Sequence, residues 1–364
     1  MDLIKLSSTT AQPTQLSVGE AINGHKSALW VERYRDPGEF KIEAPLSSGL
    51  VSFLPIDTFI THLNTSVVMV VENHFIKQPK DEDPTVEITG RCLTSYFENR
   101  TVGDYQAFAT SEIQDIVLAS DQTWDQVVTL IDDHVITPTD TNDDLVGTAV
   151  NHTCTGAATS EERTLRPSEL HGAILDILKV DDLGIKTVRP TAADPLTYFT
   201  VYRGDNVSTK VRFSWMRGDL ENVEYFFSNK KLKTQARVMG RWIQVVVNPT
   251  GADNYDRRTM IIDASFWDER LTAYPSGGVL TLYMAAMTIM GRQALAAQKK
   301  VSITQADVSD SATMRFRRDY DIGDLVTVDG DFGASTVMRV VEFAEVDDES
   351  GTSGHPTLAI PGEY

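Results

Sequence analysis

The chain has 364 residues, 41% hydrophobic and 8% aromatic, with 52 acidic side chains against 33 Lys and Arg and a formal charge of -19. At roughly 100 to 200 residues per domain, this length predicts two to four domains rather than one small core. The acid surplus argues against a nucleic-acid binder, whose affinity comes mainly from Lys and Arg displacing the counterions condensed on a polyanion.

The first hundred residues read as strands. Residues 27–35 end at the turn signal Asp36-Pro37-Gly38, and residues 39–44 then alternate apolar with charged side chains, as a half-buried strand does. Pro37 fixes its own φ and Gly38 tolerates positive φ, so a tight hairpin turn is expected there, with Gly38 in the left-handed region. Residues 67–76 and 85–93, separated by a charged connection rich in turn residues, predict a second hairpin.

Further on, Trp124, Val127, Val128, Ile131 and Val135 form a helical stripe that Thr137 and Pro138 terminate. The small and polar residues 139–166 read as an exposed loop or linker. Pro167 fits the first turn of a helix whose apolar face is Leu170, Ile174, Ile177 and Leu178, ending before Gly184. Strands are expected at 197–202, 210–215, 222–227 and 236–248, a helix at 279–300, and strands again over the last fifty residues. An internal echo links Arg33-Tyr-Arg with Gly38-Glu-Phe-Lys-Ile to Arg315-Phe-Arg with Gly323-Asp-Leu-Val-Thr-Val, each read as a basic and aromatic strand, a turn and a second strand.

Cys92 and Cys154 are too few for a disulfide scaffold and lack the spacing of a metal site, so a reducing folding compartment is expected. Residues 1–6 carry no basic segment leading into an apolar stretch, so no signal peptide is expected, and the sequons at Asn64, Asn99, Asn151 and Asn206 read as chance. The longest mostly apolar run, 279–290, is interrupted by Thr281 and Thr288 and is shorter than the roughly 20 residues of a membrane span, so no membrane anchor is expected.

Catalytic signatures are missing. There is no Gly-x-Ser-x-Gly elbow, His-Glu-x-x-His, phosphate-binding loop or Gly-x-Gly-x-x-Gly, and His25, His62, His74, His134, His152, His171 and His355 include no i, i+4 pair. Asp140-Thr-Asn142-Asp-Asp144 opens like a calcium loop, but Leu145 replaces the required Gly and Asn151 the bidentate Glu, so it reads as a solvated acidic loop. His152 and Cys154 are two potential ligands, too few for a metal site. The basic clusters Lys230-Lys231-Leu-Lys233 and Arg315-Phe-Arg317-Arg318 read as solvated faces in so acidic a chain, and Met284, Met287 and Met290 as core packing with Leu280. No catalytic, cofactor-binding or metal-binding residue is assigned.

Five segments, in order, carry a family resemblance. Residues 30–45, with Asp36-Pro-Gly-Glu-Phe40, and 86–100, with Gly90-Arg91, Leu93 and Arg100, come first; Phe213-Ser-Trp-Met-Arg-Gly-Asp-Leu-Glu-Asn-Val-Glu-Tyr225 follows, then 257–264, then Tyr320-Asp-Ile-Gly-Asp-Leu-Val326 with Met338-Arg-Val-Val-Glu342. Together they resemble the baseplate hub proteins of siphovirus-type bacteriophages. Residues 101–197 lie outside the resemblance, and the family's Lys-Asn-Val form is absent around 229–239.

The resemblance implies an α+β, β-rich chain of tail-tube-like antiparallel β-barrel or sandwich domains with additional α/β domains. The expected divisions are a tube-like β domain at 1–105, a mixed helical and loop domain at 106–196, a β-rich domain ending in a long helix at 197–310, and a β segment at 311–364 completing an earlier domain. It further implies a structural virion protein at the tail tip, made in the host cytoplasm: a homotrimer that closes the tail tube and meets the distal tail protein, the tape-measure protein and tail fibre or tip proteins. DNA would pass through the lumen without specific binding. Two other classes compete: a cell-wall hydrolase using paired carboxylates, and a carbohydrate-binding adhesin using some of the five tryptophans.

Overall fold

The computed structural model describes residues 1–8, 16–80, 83–103, 115–139, 144–156, 158–191, 193–230, 232–247, 254–265, 276–296, 301–308, 314–329 and 335–361. The first third supplies β1 (Leu3–Ser8), β2 (Leu16–Ala21), β3 (Ser27–Arg33), β4 (Glu39–Pro45), helix α1 (Leu50–Phe53), β5 (Phe59–His62), β6 (Val68–Lys77) and β7 (Thr85–Cys92). The middle supplies β8 (Thr101–Val102), β9 (Ile116–Leu118), α2 (Thr123–Ile131), β10 (Thr148–His152), β11 (Arg163–Leu165), β12 (Ser168–Glu169), α3 (Leu170–Leu178), β13 (Gly184–Val188) and β14 (Thr197–Tyr202). The last part supplies β15 (Arg212–Ser214), β16 (Leu220–Ser228), β17 (Gln235–Met239), β18 (Gln244–Val247), β19 (Thr259–Asp263), α4 (Gly277–Ala296), β20 (Val301–Val308), β21 (Leu325–Asp329), β22 (Ser335–Asp348) and β23 (Gly351–Ala359).

Thirteen strands form one large sheet in the order β16-β20-β23-β22-β3-β4-β7-β6-β5-β1-β2, with β21 on β22 and β15 on β21. Strands from the two ends of the sequence meet at its centre, where β22 pairs antiparallel with β3. The β-rich fold with helices stands as expected, but the barrel form of it does not occur: among the described residues no sheet closes on itself, and the large one ends at β2 and β16. Alternation predicts β4 and β7 well. Phe40, Ile42 and Ala44 of β4, and Val86, Ile88 and Cys92 of β7, turn inward with Trp30 onto a core that Leu50 of α1 covers.

Two smaller units attach to this sheet, each a mixed three-stranded sheet carrying helix. In the first, β14 lies parallel to β10 and antiparallel to β13, over the apolar faces of α2 and α3. Residues on either side of position 196 therefore share one core. In the second, β17 lies parallel to β19 and antiparallel to β18, and α4 packs across it through Tyr283 and Met287.

Several local expectations change. The segment 139–166 is no free linker, because its strands β10 and β11 pair with β14 and β9 outside it and Cys154 and Arg163 are buried; residues 140–143 of the acidic loop lie outside the described residues. Pro167 precedes the short strand β12, and the helix starts only at Leu170 with Glu169 as its cap residue. The single strand expected at 236–248 is a hairpin, turned where the Gly240 amide donates to the Ile243 carbonyl; Asn248 lies outside the described residues. Residues 297–300 of the expected long helix also lie outside. Its methionines do not share a face: Met287 is buried and Met284 exposed. The internal echo fails as a duplicated hairpin, since residues 315–319 form a turn, not a strand.

The first hairpin exists, but its turn is wide. The last β3–β4 pair is Val31 with Glu39, and the chain past β3 drifts toward β22, where the Tyr34 amide donates to the Val341 carbonyl at 2.9 Å. Gly38 is not in the left-handed region. It is needed for close approach instead: a Cβ there would lie 2.3 Å from the Val31 carbonyl oxygen and 3.4 Å from the Glu32 Cα. Because those atoms are backbone, relief requires moving the loop. Gly38→Ala should therefore cost about 1–3 kcal/mol and lower the thermal midpoint; an unchanged midpoint would show that the loop yields freely.

Candidate functional site

The charged side chains with the most built surroundings lie where the large sheet meets the middle unit. Past β3, the chain carries Tyr34 and Arg35 under the turn between α3 and β13, where Asp182 adopts a left-handed conformation (φ 54). Arg35 donates to the Asp182 carboxylate at 2.5 Å and to the Leu183 carbonyl at 2.8 Å. Arg339, on β22, donates to the other carboxylate oxygen at 2.7 Å and also to the Gly323 carbonyl. One carboxylate thus joins two buried guanidinium groups. The Tyr34 hydroxyl donates to the Asp182 carbonyl at 2.8 Å, and its ring meets Tyr202 edge-on at 5.3 Å. Burial pushes the Tyr34 hydroxyl up to about 12, although Arg339 pulls the other way. Gly323, at φ +92, leaves room for that ring: a Cβ there would lie 2.6 Å from it.

A second cluster stands a few residues along the same strands. Arg317, also left-handed at φ 62, donates to Glu32 at 2.6 Å, to Glu345 at 3.3 Å and to His62 Nδ1 at 3.1 Å. Glu32 further accepts from the Trp30 indole at 2.8 Å. Accepting at Nδ1 requires neutral imidazole, and burial, then the Arg317 charge, lower His62 to about 4. Burial raises the Glu345 carboxyl in turn. Between the clusters lies a cavity of about 250 Å³, lined by Glu32, Asp36, Thr65, Thr94, Thr187 and Arg317 among others. Three cations line it, each already engaged: Arg317 with Glu32 and Glu345, Arg33 with Glu39 and Glu342, and Lys186 over the Tyr202 ring, so the arrangement holds elements together.

The residues singled out in the sequence fall in several places. Arg317 is not on a solvated face as expected, and Phe316 stacks on Phe343 at 3.8 Å. His152 stacks on Trp124 and faces Asp125 at 3.4 Å, while Cys154 is buried, its thiol pushed up by burial. Among the described residues no group of three or more His, Cys, Asp or Glu is placed to hold a metal, and no helix is long and apolar enough to cross a membrane. Trp30 and Trp124 are core residues, whereas Trp242 is partly exposed. The Arg35–Asp182–Arg339 bridge was missed; the adjacent pair Asp181-Asp182 ahead of Leu183-Gly184 was its only sequence signal.

Residues 13–358 match the family model of siphovirus ReqiPepy6 Gp37-like proteins. Among curated proteins none matches the sequence significantly. Similar solved structures include the 43 kDa tail protein of prophage MuSo2 from Shewanella oneidensis, at TM-score 0.61 and 12% identity over 99% of this chain and 98% of that one. A tail protein from Neisseria meningitidis gives 0.59 at 10% identity, covering 100% and 99%. Prophage tail protein gp18 from Listeria monocytogenes gives 0.54 at 10% identity, covering 99% and 94%. At such identities the likeness is one of fold.

Removing the shared carboxylate tests the bridge. Asp182→Asn keeps the shape and tolerates the left-handed backbone but removes the negative charge that Arg35 and Arg339 share. Since Asp182 is about one-fifth exposed, the loss should fall near the lower end for a broken buried pair, about 3 kcal/mol in chemical denaturation. A change within error would show that the guanidiniums find other partners.

Proposed function

The chain belongs to the siphovirus ReqiPepy6 Gp37-like family of structural phage tail proteins, and from that premise we propose that it is a baseplate hub. In this reading three copies close the end of the tail tube and link it to the tip through which DNA reaches the host. The distal tail protein lies above, the tape-measure protein inside, and tail fibre or tip proteins below. The chain resides in the virion at the tail tip after synthesis in the host cytoplasm, and its role is architectural rather than catalytic.

One observation supports the reading: among the described residues the large sheet does not close on itself, and β2 and β16 stand at its ends. An exposed strand edge presents unpaired backbone groups that invite further pairing. Closed cyclic symmetry covers such edges in every copy without leaving a growing end. The charge of -19 also suits a conduit, because a repulsive lumen does not trap a polyanion.

Averaged images of tail tips test the proposal, with the chain located by a fused density tag. Threefold density around an open centre is expected at the tag, and the purified chain should release neither sugar nor peptide from host cell wall. A dimer in solution together with a tip lacking threefold density at the tag would contradict the hub, and release abolished by a single Asp or Glu to amide change would contradict the architectural role.

A further inference from the structure

The unit inserted between β16 and β20 differs in charge from the rest of the molecule. Residues 229–265 hold seven Lys and Arg against three Asp and no Glu, in a chain whose total is -19. One side of the β18-β17-β19 sheet is covered by α4. Among the described residues the other side has no such cover: Arg237 at its centre sits between Val246 and Ile261 on the flanking strands, and Met239 is next along β17. Ile261 is 72% exposed, Val246 44% and Met239 39%. Arg237 itself is exposed and makes no ion pair among the described residues. Beyond the Met239 end, the Arg241 guanidinium lies over the ring of Trp242, which is 38% exposed.

We infer that this face is an interface between copies of the chain, taking the acidic middle unit of a neighbouring copy. The inference rests on the reading that copies assemble together. The centre of the face, Arg237 with Val246 and Ile261, is apolar with an arginine, the composition that marks the core of a protein interface, and Asp263 beside Met239 is its one acidic side chain, at the margin. A phosphate backbone offers nothing to cover Ile261, Val246 and Met239, so a nucleic acid fits the centre poorly. Charge complementarity selects the partner region. Residues 115–196 carry fifteen Asp and Glu against five Lys and Arg, and Glu162, Glu169, Asp121 and Asp133 are exposed there. Within one copy the same two units already touch through Arg292 and Glu161 at 2.6 Å, but that contact is made by α4, which packs on the opposite side of the sheet. A head-to-tail contact of this kind repeats around a closed ring.

Mixing isotopically light and heavy chain, coupling Lys to carboxylates with a zero-length cross-linker and sequencing the products tests this. Light-to-heavy links from 229–265 to 115–196 are expected at low salt, fading as salt rises. Light scattering should show self-association weakened by roughly tenfold or more in Arg237→Glu and in Ile261→Asp, both exposed positions whose folding is checked by circular dichroism. Self-association that both folded variants retain, or links that map elsewhere, overturns the inference while leaving the threefold hub intact. A chain that stays monomeric yet is retained on anionic vesicles or duplex DNA through Arg237 also overturns it, and the tail-tip images then decide the hub separately.

Discussion

β22 is the constraint on which the rest of the structure depends. Its first half pairs with β21 and its second half with β3 along one edge, while β23 follows its other edge. The change of partner falls at Arg339 to Val341, where the β22–β23 register shifts and Met338, Arg339, Val340 and Val341 are all buried. A bulge bends a strand and strengthens its twist. Here the bend lets one strand serve both the N-terminal strands and the C-terminal ones, and the Gly323 amide donates to Val340 at 2.8 Å just where the partner changes.

The charged bridges sit at that bend. Buried ion pairs seldom add much net stability, because desolvation offsets their attraction, but losing one partner is costly. Such an arrangement penalises misplacement more than it rewards placement. Arg339 meets the Asp182 carboxylate when the turn carrying it reaches β22, and Arg35 meets the same carboxylate when that turn reaches the chain past β3. Arg317 repeats this logic with Glu32 from β3 and Glu345 from β22. The two clusters thereby fix the middle unit and the 315–319 turn against the shared sheet.

What could be read from the sequence was what depends on near neighbours. The alternation at 39–44 and 85–92 reflects half-buried strands, and the stripe from Trp124 to Ile131 a helix with one covered side; both follow from local spacing. The hairpin at 236–248 reads as one strand in the sequence because its apolar run continues past Gly240, the residue that marks the turn. The bridges were not legible. Asp182 lies 147 residues from Arg35 and 157 from Arg339, and an isolated Arg in an acidic chain reads as solvated until its partners are in place. Gly38 was identified for the wrong reason, since the carbonyl that crowds it belongs to the partner strand.

If β22 is the shared element, the two ends of the sequence fold as one unit, joined by backbone pairing rather than by a linker. Native-state hydrogen exchange measures this directly, because amides in one cooperative unit open together at one free energy. The amides of β3 that pair with β22, and those of β22 that pair with β3, should exchange with the same free energy and the same denaturant dependence. Exchange of β22 and β23 at a clearly lower free energy, while β3, β4 and β7 stay protected, would contradict the account.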